Sequence, residues 1–103
     1  QEAYLYNDLA FLYKELGEYN KALSLCKKSL EINKEVFGEN HPNTATSYNN
    51  LAIFYHTIGE FNKSYEYMKK AVEIWERVLS NKHPNLINSK ESLKQIARKK
   101  DII

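Results

Sequence analysis

The chain has 103 residues, 43% apolar and 27% charged, which fits one folded core or a short stack of repeats and excludes a disordered segment. Its longest apolar runs, Leu9–Tyr13 and Leu51–Tyr55, are far below the ~20 residues of a membrane span, and one cysteine (Cys26) cannot form an internal disulfide. A net charge of +2, carried by 13 Lys and two Arg (Arg77 and Arg98), makes neither nucleic acid nor an anionic membrane the expected partner.

Three Gly and two Pro leave few turns, so long helices are expected over 2–16, 19–37, 43–58, 61–79 and 85–100. The chain opens Gln1-Glu2-Ala3, which has neither an initiator methionine nor a signal pattern and suggests a piece of a longer protein. The first helix ends at Gly17. The second carries Tyr19, Ala22, Leu23, Cys26, Ser29, Leu30, Asn33, Val36 and Phe37 on one side and closes at Gly38. His41-Pro42 opens the third, whose apolar stripe is Ala45, Tyr48, Leu51, Ala52, Tyr55 and Ile58; Gly59 ends it. The fourth places Ser64, Tyr65, Met68, Ala71, Val72, Trp75, Val78 and Leu79 on one side. The fifth follows His83-Pro84 and keeps Leu93, Ile96 and Ala97 as a narrower stripe, as a helix capping a stack should.

Sliding the chain by 42 residues explains this order. Residues 6–47 and 48–89 share 18 identities in 42 positions, among them Tyr6/Tyr48, Leu9-Ala10/Leu51-Ala52, Gly17-Glu18/Gly59-Glu60 and His41-Pro42-Asn43/His83-Pro84-Asn85. The expected organisation is repeat one over 1–42, repeat two over 43–84 and a capping helix over 85–103, forming a single domain.

Residues suited to catalysis are sparse. His41 and His83 stand a full repeat apart, so each is read as a helix starter and not as a metal ligand. Cys26 lies on an apolar stripe, where a packed thiol is expected. Acidic residues are spread over helix faces, and no phosphate-cradling Gly loop occurs. No enzymatic activity and no cofactor are expected. Unpaired Cys26 favours a reducing compartment or an indifferent one, and a cytoplasmic location is the expectation.

Tyr48…Leu51-Ala52…Tyr55…Gly59, followed by Ser64…Met68…Ala71, resembles the tetratricopeptide repeat signature. The 42-residue unit, eight longer than that family's usual 34, looks like the long repeat found in kinesin light chains. The resemblance implies an all-α fold: a right-handed α-solenoid of two helix hairpins plus a C-terminal capping helix. It also implies a non-catalytic module that binds a protein or peptide along the concave face of the first helices. The face opposite the Tyr/Leu/Ala stripe then includes Tyr4, Asn7, Asp8, Phe11, Lys14 and Glu15 in repeat one, and Thr46, Asn49, Asn50, Ile53, His56 and Thr57 in repeat two. The capping helix adds Asn88, Glu91, Ser92, Gln95, Arg98 and Lys99.

From these faces the expected peptide groove is Asn7, Phe11, Lys14, Asn49, Asn50, Ile53, His56 and Arg98. Asn7 and Asn49 are equivalent, and a carboxamide can both donate to and accept from a peptide backbone. Phe11 and Ile53 are apolar where a solvated face would favour polar residues. The other reading is that these side chains only pack first helix against first helix. The family's clamp for chaperone C-terminal tails uses Lys, Asn, Asn, Lys and Arg. Here those positions hold Asn7, Phe11, Asn50, Asn88 and Ser92, which lack its cations, so such tails are disfavoured. Acidic, aromatic-containing peptides, as taken by kinesin light chains, would meet Lys14, His56, Arg98 and Lys99.

Charge is polarised along the chain. Residues 1–18 carry −3 and residues 82–100 carry +5, so opposite ends could attract in head-to-tail self-association. The alternative to a binding module is therefore a structural slice of a longer solenoid, acting as spacer or self-assembly unit.

Overall fold

A computed structural model describes residues 2–79 and 82–102. Among these residues the chain forms five helices and no strand: α1 (Glu2–Glu15), α2 (Tyr19–Phe37), α3 (Pro42–Thr57), α4 (Phe61–Val78) and α5 (Pro84–Ile102). The ends fall within two residues of the sequence expectation. The second helices, at 19 and 18 residues, are longer than the first helices at 14 and 16. The extra length of the repeat thus lies mainly in the outer helix. Each helix packs on the next in chain order, α1 on α2 through α4 on α5. The principal extents of 37 × 34 × 19 Å describe a slab two helices thick.

Local chemistry repeats with the sequence. Gly17 and Gly59 take φ of 78° and 82°, a region that costs a side chain about 1–2 kcal/mol. This lets the Glu18 and Glu60 N–H groups reach back to the Tyr13 and Tyr55 carbonyls, each at 2.9 Å. The bonds occupy carbonyls that the helix end would otherwise leave unpaired. At the other junction each histidine is a helix cap. His41 Nδ1 accepts the Asn43 N–H at 3.0 Å, and His83 Nδ1 accepts the Asn85 N–H at 3.1 Å. Proline follows each histidine at the first helical position, where a missing N–H costs little.

The core runs through both hairpins. Ala10, Ala22, Cys26, Tyr48, Leu51, Phe54, Tyr55, Ala71, Trp75 and Leu86 are all buried in it. Burial raises the Cys26 thiol to about 12, which keeps it protonated and inert. Four stripe positions differ from expectation: Tyr19, Val36, Ile58 and Val78 are exposed, because they lie at helix ends beyond the reach of the neighbouring helix. The capping helix is anchored more deeply than its sequence suggests. Leu86, Ser89 and Ile96 are buried, while Leu93 and Ala97 are only half-buried.

The two repeat junctions differ in polarity. At the first, Asn33 donates to the Ser47 hydroxyl at 2.6 Å and to the Asn43 carbonyl at 3.2 Å, and Thr44 donates to the Gly38 carbonyl at 2.7 Å. At the second, the positions of Asn33 and Thr44 are held by Trp75 and Leu86, both buried. Hydrogen bonds fix the first junction, and apolar packing fixes the second.

Candidate functional site

Four of the residues expected to line a groove, Phe11, Lys14, Ile53 and His56, fall into two equivalent rungs where one first helix meets the next. In the upper rung, Phe11 of α1 meets Phe54 of α3 with ring centroids 5.4 Å apart. The Lys14 ammonium caps this pair, 5.9 Å from the Phe11 centroid and 5.8 Å from that of Phe54. The residues 42 positions on are Ile53, Ile96 and His56, and they form the lower rung between α3 and α5. These three line a cavity of about 130 Å³ together with Met68, Ser92 and Gln95. The period of the chain thus brings two apolar side chains and a basic one to each rung.

Polar contacts divide the expected residues. Asn50 is buried and donates through Nδ2 to Asn7 Oδ1 at 3.0 Å, so these two carboxamides join α1 to α3. Asn49, the repeat equivalent of Asn7, is half-buried beside this pair in sequence. His56 packs edge-on against Phe61 at 5.2 Å, and the Lys99 ammonium sits 5.8 Å from the same ring. Burial lowers the affinity of the His56 imidazole for a proton, and the Lys99 charge lowers it further. His56 therefore presents a neutral imidazole near neutral pH. Arg98 is exposed and does not line the cavity of the lower rung. The Tyr4 side chain lies outside the described residues.

Phe54 and Phe61 escaped the sequence reading, and Met68 and Ile96 were expected only as stripe positions. Phe54 stands at the repeat equivalent of Leu12, and Ile96 two repeats from it, so the 42-residue register contained the signal. Among the described residues, no group of His, Cys, Asp and Glu could hold a metal ion, and no helix is long and apolar enough to cross a membrane.

Comparison with known proteins agrees with this architecture. Two family models for the tetratricopeptide repeat match, one over residues 1–64 and the other over residues 44–85. No curated protein sequence matches the chain. Among solved structures, BtubC (BKLC) from P. vanneervenii superposes with a TM-score of 0.90 at 21% identity, covering 96% of this chain and 40% of its own. The kinesin light chain nearly identical TPR-like repeats of Podosopora anserina superpose with a TM-score of 0.84 at 23% identity, covering 94% of this chain and 46% of theirs. The chain thus spans less than half the length of either neighbour. With the repeat-matched rungs, two family models and these superpositions in agreement, the chain belongs to the tetratricopeptide repeat family and has the fold of kinesin light chain-type repeats.

Proposed function

We propose that this chain is a non-catalytic protein–protein interaction module that holds an extended peptide along its first helices. Tetratricopeptide repeats generally mediate protein–protein interaction or scaffolding, and the finer reading here rests on the two rungs. One observation carries it: Ile53, His56, Ser92 and Gln95 surround a small cavity with an apolar floor and a polar rim, one repeat from the Phe11–Phe54–Lys14 step. An extended peptide could seat a side chain in this cavity, while Gln95 and Asn49 offer donors and acceptors to its backbone. Because Asn7 and Asn50 already bond to each other, they position this surface more than they contact a ligand.

Selection of peptides from a displayed random library, followed by NMR amide mapping, tests the reading. Selected peptides should shift the Ile53, His56 and Ser92 amides, and Asn49→Ala with Ile53→Ser should abolish binding while circular dichroism stays unchanged. Unaltered affinity in that folded variant overturns the proposal.

A second reading, the structural slice, draws on the exposed leucines of α1 and on the acidic start and basic end of the chain. Sedimentation at low and high salt separates it: a salt-insensitive monomer at high concentration removes head-to-tail assembly. The unpaired Cys26 sits most simply in a reducing, cytoplasmic setting.

A further inference from the structure

A second recess lies on the side of the molecule built by α2 and α4, and it shares no residue with the Ile53–His56 cavity. Its volume is about 680 Å³, within the range of ligand-binding clefts. The tyrosines of its walls form one stacked cluster, in which Tyr48 and Tyr55 are buried and Tyr67 is half-buried. The Tyr55 and Tyr67 rings are parallel to within 3° at a centroid separation of 5.5 Å, and Tyr48 stacks on Tyr67 at 6.1 Å.

Four lysines surround these rings. Lys27 and Lys34 come from α2, and Lys63 and Lys70 from α4. The Lys63 ammonium rests 5.5 Å from the Tyr55 centroid and that of Lys70 rests 5.6 Å from Tyr48. These contacts use the ring face and leave N–H donors free to turn outward. Two carboxylates stand nearby. Glu66 lines the recess, and Glu39 accepts from the Tyr48 hydroxyl at 2.6 Å and pairs with Lys34 at 3.7 Å. Lys27, Lys63 and Lys70 make no ion pair among the described residues, so positive charge is in local excess.

The arrangement is written into the repeat. Tyr6 and Tyr13 meet Lys28 and Lys21 at 5.8 and 5.6 Å, as Tyr48 and Tyr55 meet Lys70 and Lys63. In each hairpin the pairing steps seven residues down one helix and seven up the other. In α5 the equivalents of Tyr48 and Tyr55 are Lys90 and Ala97, so the aromatic wall ends there. The recess therefore needs a Tyr-bearing hairpin packed on the second helix of the hairpin before it.

We infer that this recess is a second binding site, and that it takes a short acidic segment of a protein partner. Separate lysine point charges on both walls suit carboxylates spaced along a peptide, and the half-buried Tyr67 ring offers an apolar contact between them, while Tyr48 and Tyr55 are buried beneath the lysines. A nucleic acid fits less well: it needs a continuous basic track, whereas Glu39 and Glu66 interrupt this one and the whole chain carries only +2. The site goes beyond the proposed groove and stands or falls separately from it.

Titration of the protein with a fluorescein-labelled hexaglutamate peptide at low ionic strength tests the site, with NMR mapping of the bound residues. Saturable binding that shifts the Tyr48, Tyr55 and Tyr67 resonances is the expected result. Lys27→Gln with Lys63→Gln should weaken it about tenfold, whereas removing the same charge elsewhere, by Lys69→Gln with Lys94→Gln, should leave it nearly unchanged. Asn49→Ala with Ile53→Ser should also leave it unchanged, which separates this site from the groove. Equal weakening by both lysine pairs, shifts confined to the Ile53–His56 cavity, or tighter binding of a short oligothymidylate at the same tyrosines would each overturn the inference.

Discussion

Helices α1 and α3 are equivalent in the repeat and share Tyr, Asn, Leu, Ala and Tyr at matched positions, yet they meet different surroundings. Leu51 of α3 is fully buried, while its equivalent Leu9 is 40% exposed. Phe54 is 2% exposed and its equivalent Leu12 is 55% exposed. Leu5, Leu9, Leu12 and Leu16 thus form an open apolar stripe at the spacing of one helix face. In α3 that face meets the preceding hairpin, Phe54 at Phe11 of α1 and Ser47 at Asn33 of α2, whereas the α1 leucines are left exposed. The repeat therefore encodes a helix face whose burial depends on the preceding unit. A leucine at a given repeat position has no fixed energetic weight until its neighbour is known.

The sharpest way to break this comparison is a pair of truncations. Leu51→Ala should cost about 2–5 kcal/mol in urea unfolding, because it empties a closed core position. Leu9→Ala should cost about 1 kcal/mol or less, since much of its surface is already in water. Similar losses for the two would mean that the face of α1 is covered in solution.

A smaller effect is expected at the glycine turns, where the two hairpins are alike. Gly17→Ala and Gly59→Ala meet no atom within 4 Å of the added methyl, so their cost is backbone strain alone. Each should lower stability by about 1 kcal/mol, equally in both hairpins. A large difference between them would show that the turns are not energetically equivalent.

Leu5→Gln with Leu12→Gln should shift stability by less than about 0.5 kcal/mol, because both leucines are solvated in the monomer. Any concentration-dependent association seen by sedimentation should fall in this variant. Association that persists in full would place the contact away from α1.

The smallest effect concerns the basic members of the two rungs, Lys14 and His56. His56 binds a proton less readily when folded, through burial first and then Lys99. The unfolded chain, near its ordinary value of 6.5, takes up the proton first. Stability should therefore be fully present above that pH and decline as pH falls through 6.5 and below. His56→Gln should flatten this part of the profile measured by thermal unfolding; an unchanged slope would assign it to other groups.

Much of the architecture was legible in the chain because the repeat is read twice. The Gly17/Gly59 turns, the His-Pro-Asn helix starts and the helix ends all follow from local backbone chemistry that needs no distant partner. The contacts between the first helices were legible only in part. Phe11, Ile53 and His56 were picked out by position, but the pairing of Asn7 with Asn50 was not, since it links residues 43 apart that are not repeat equivalents. The match of Tyr6 with Tyr48 was visible as a period, but the Tyr–Lys contacts were not, since they depend on how one helix packs on the next.

By itself, then, the sequence determined the helices, their boundaries, the hairpin period and the side that each helix turns toward its partner. These properties come from propensity, capping and the 3.6-residue period, all of them local. Only the tertiary structure decided which of two equivalent leucines is core and which carboxamides are already paired. It alone also showed that four lysines and three tyrosines share one recess. Those outcomes depend on how neighbouring helices exclude water, and that exclusion belongs to the stack and not to any one repeat.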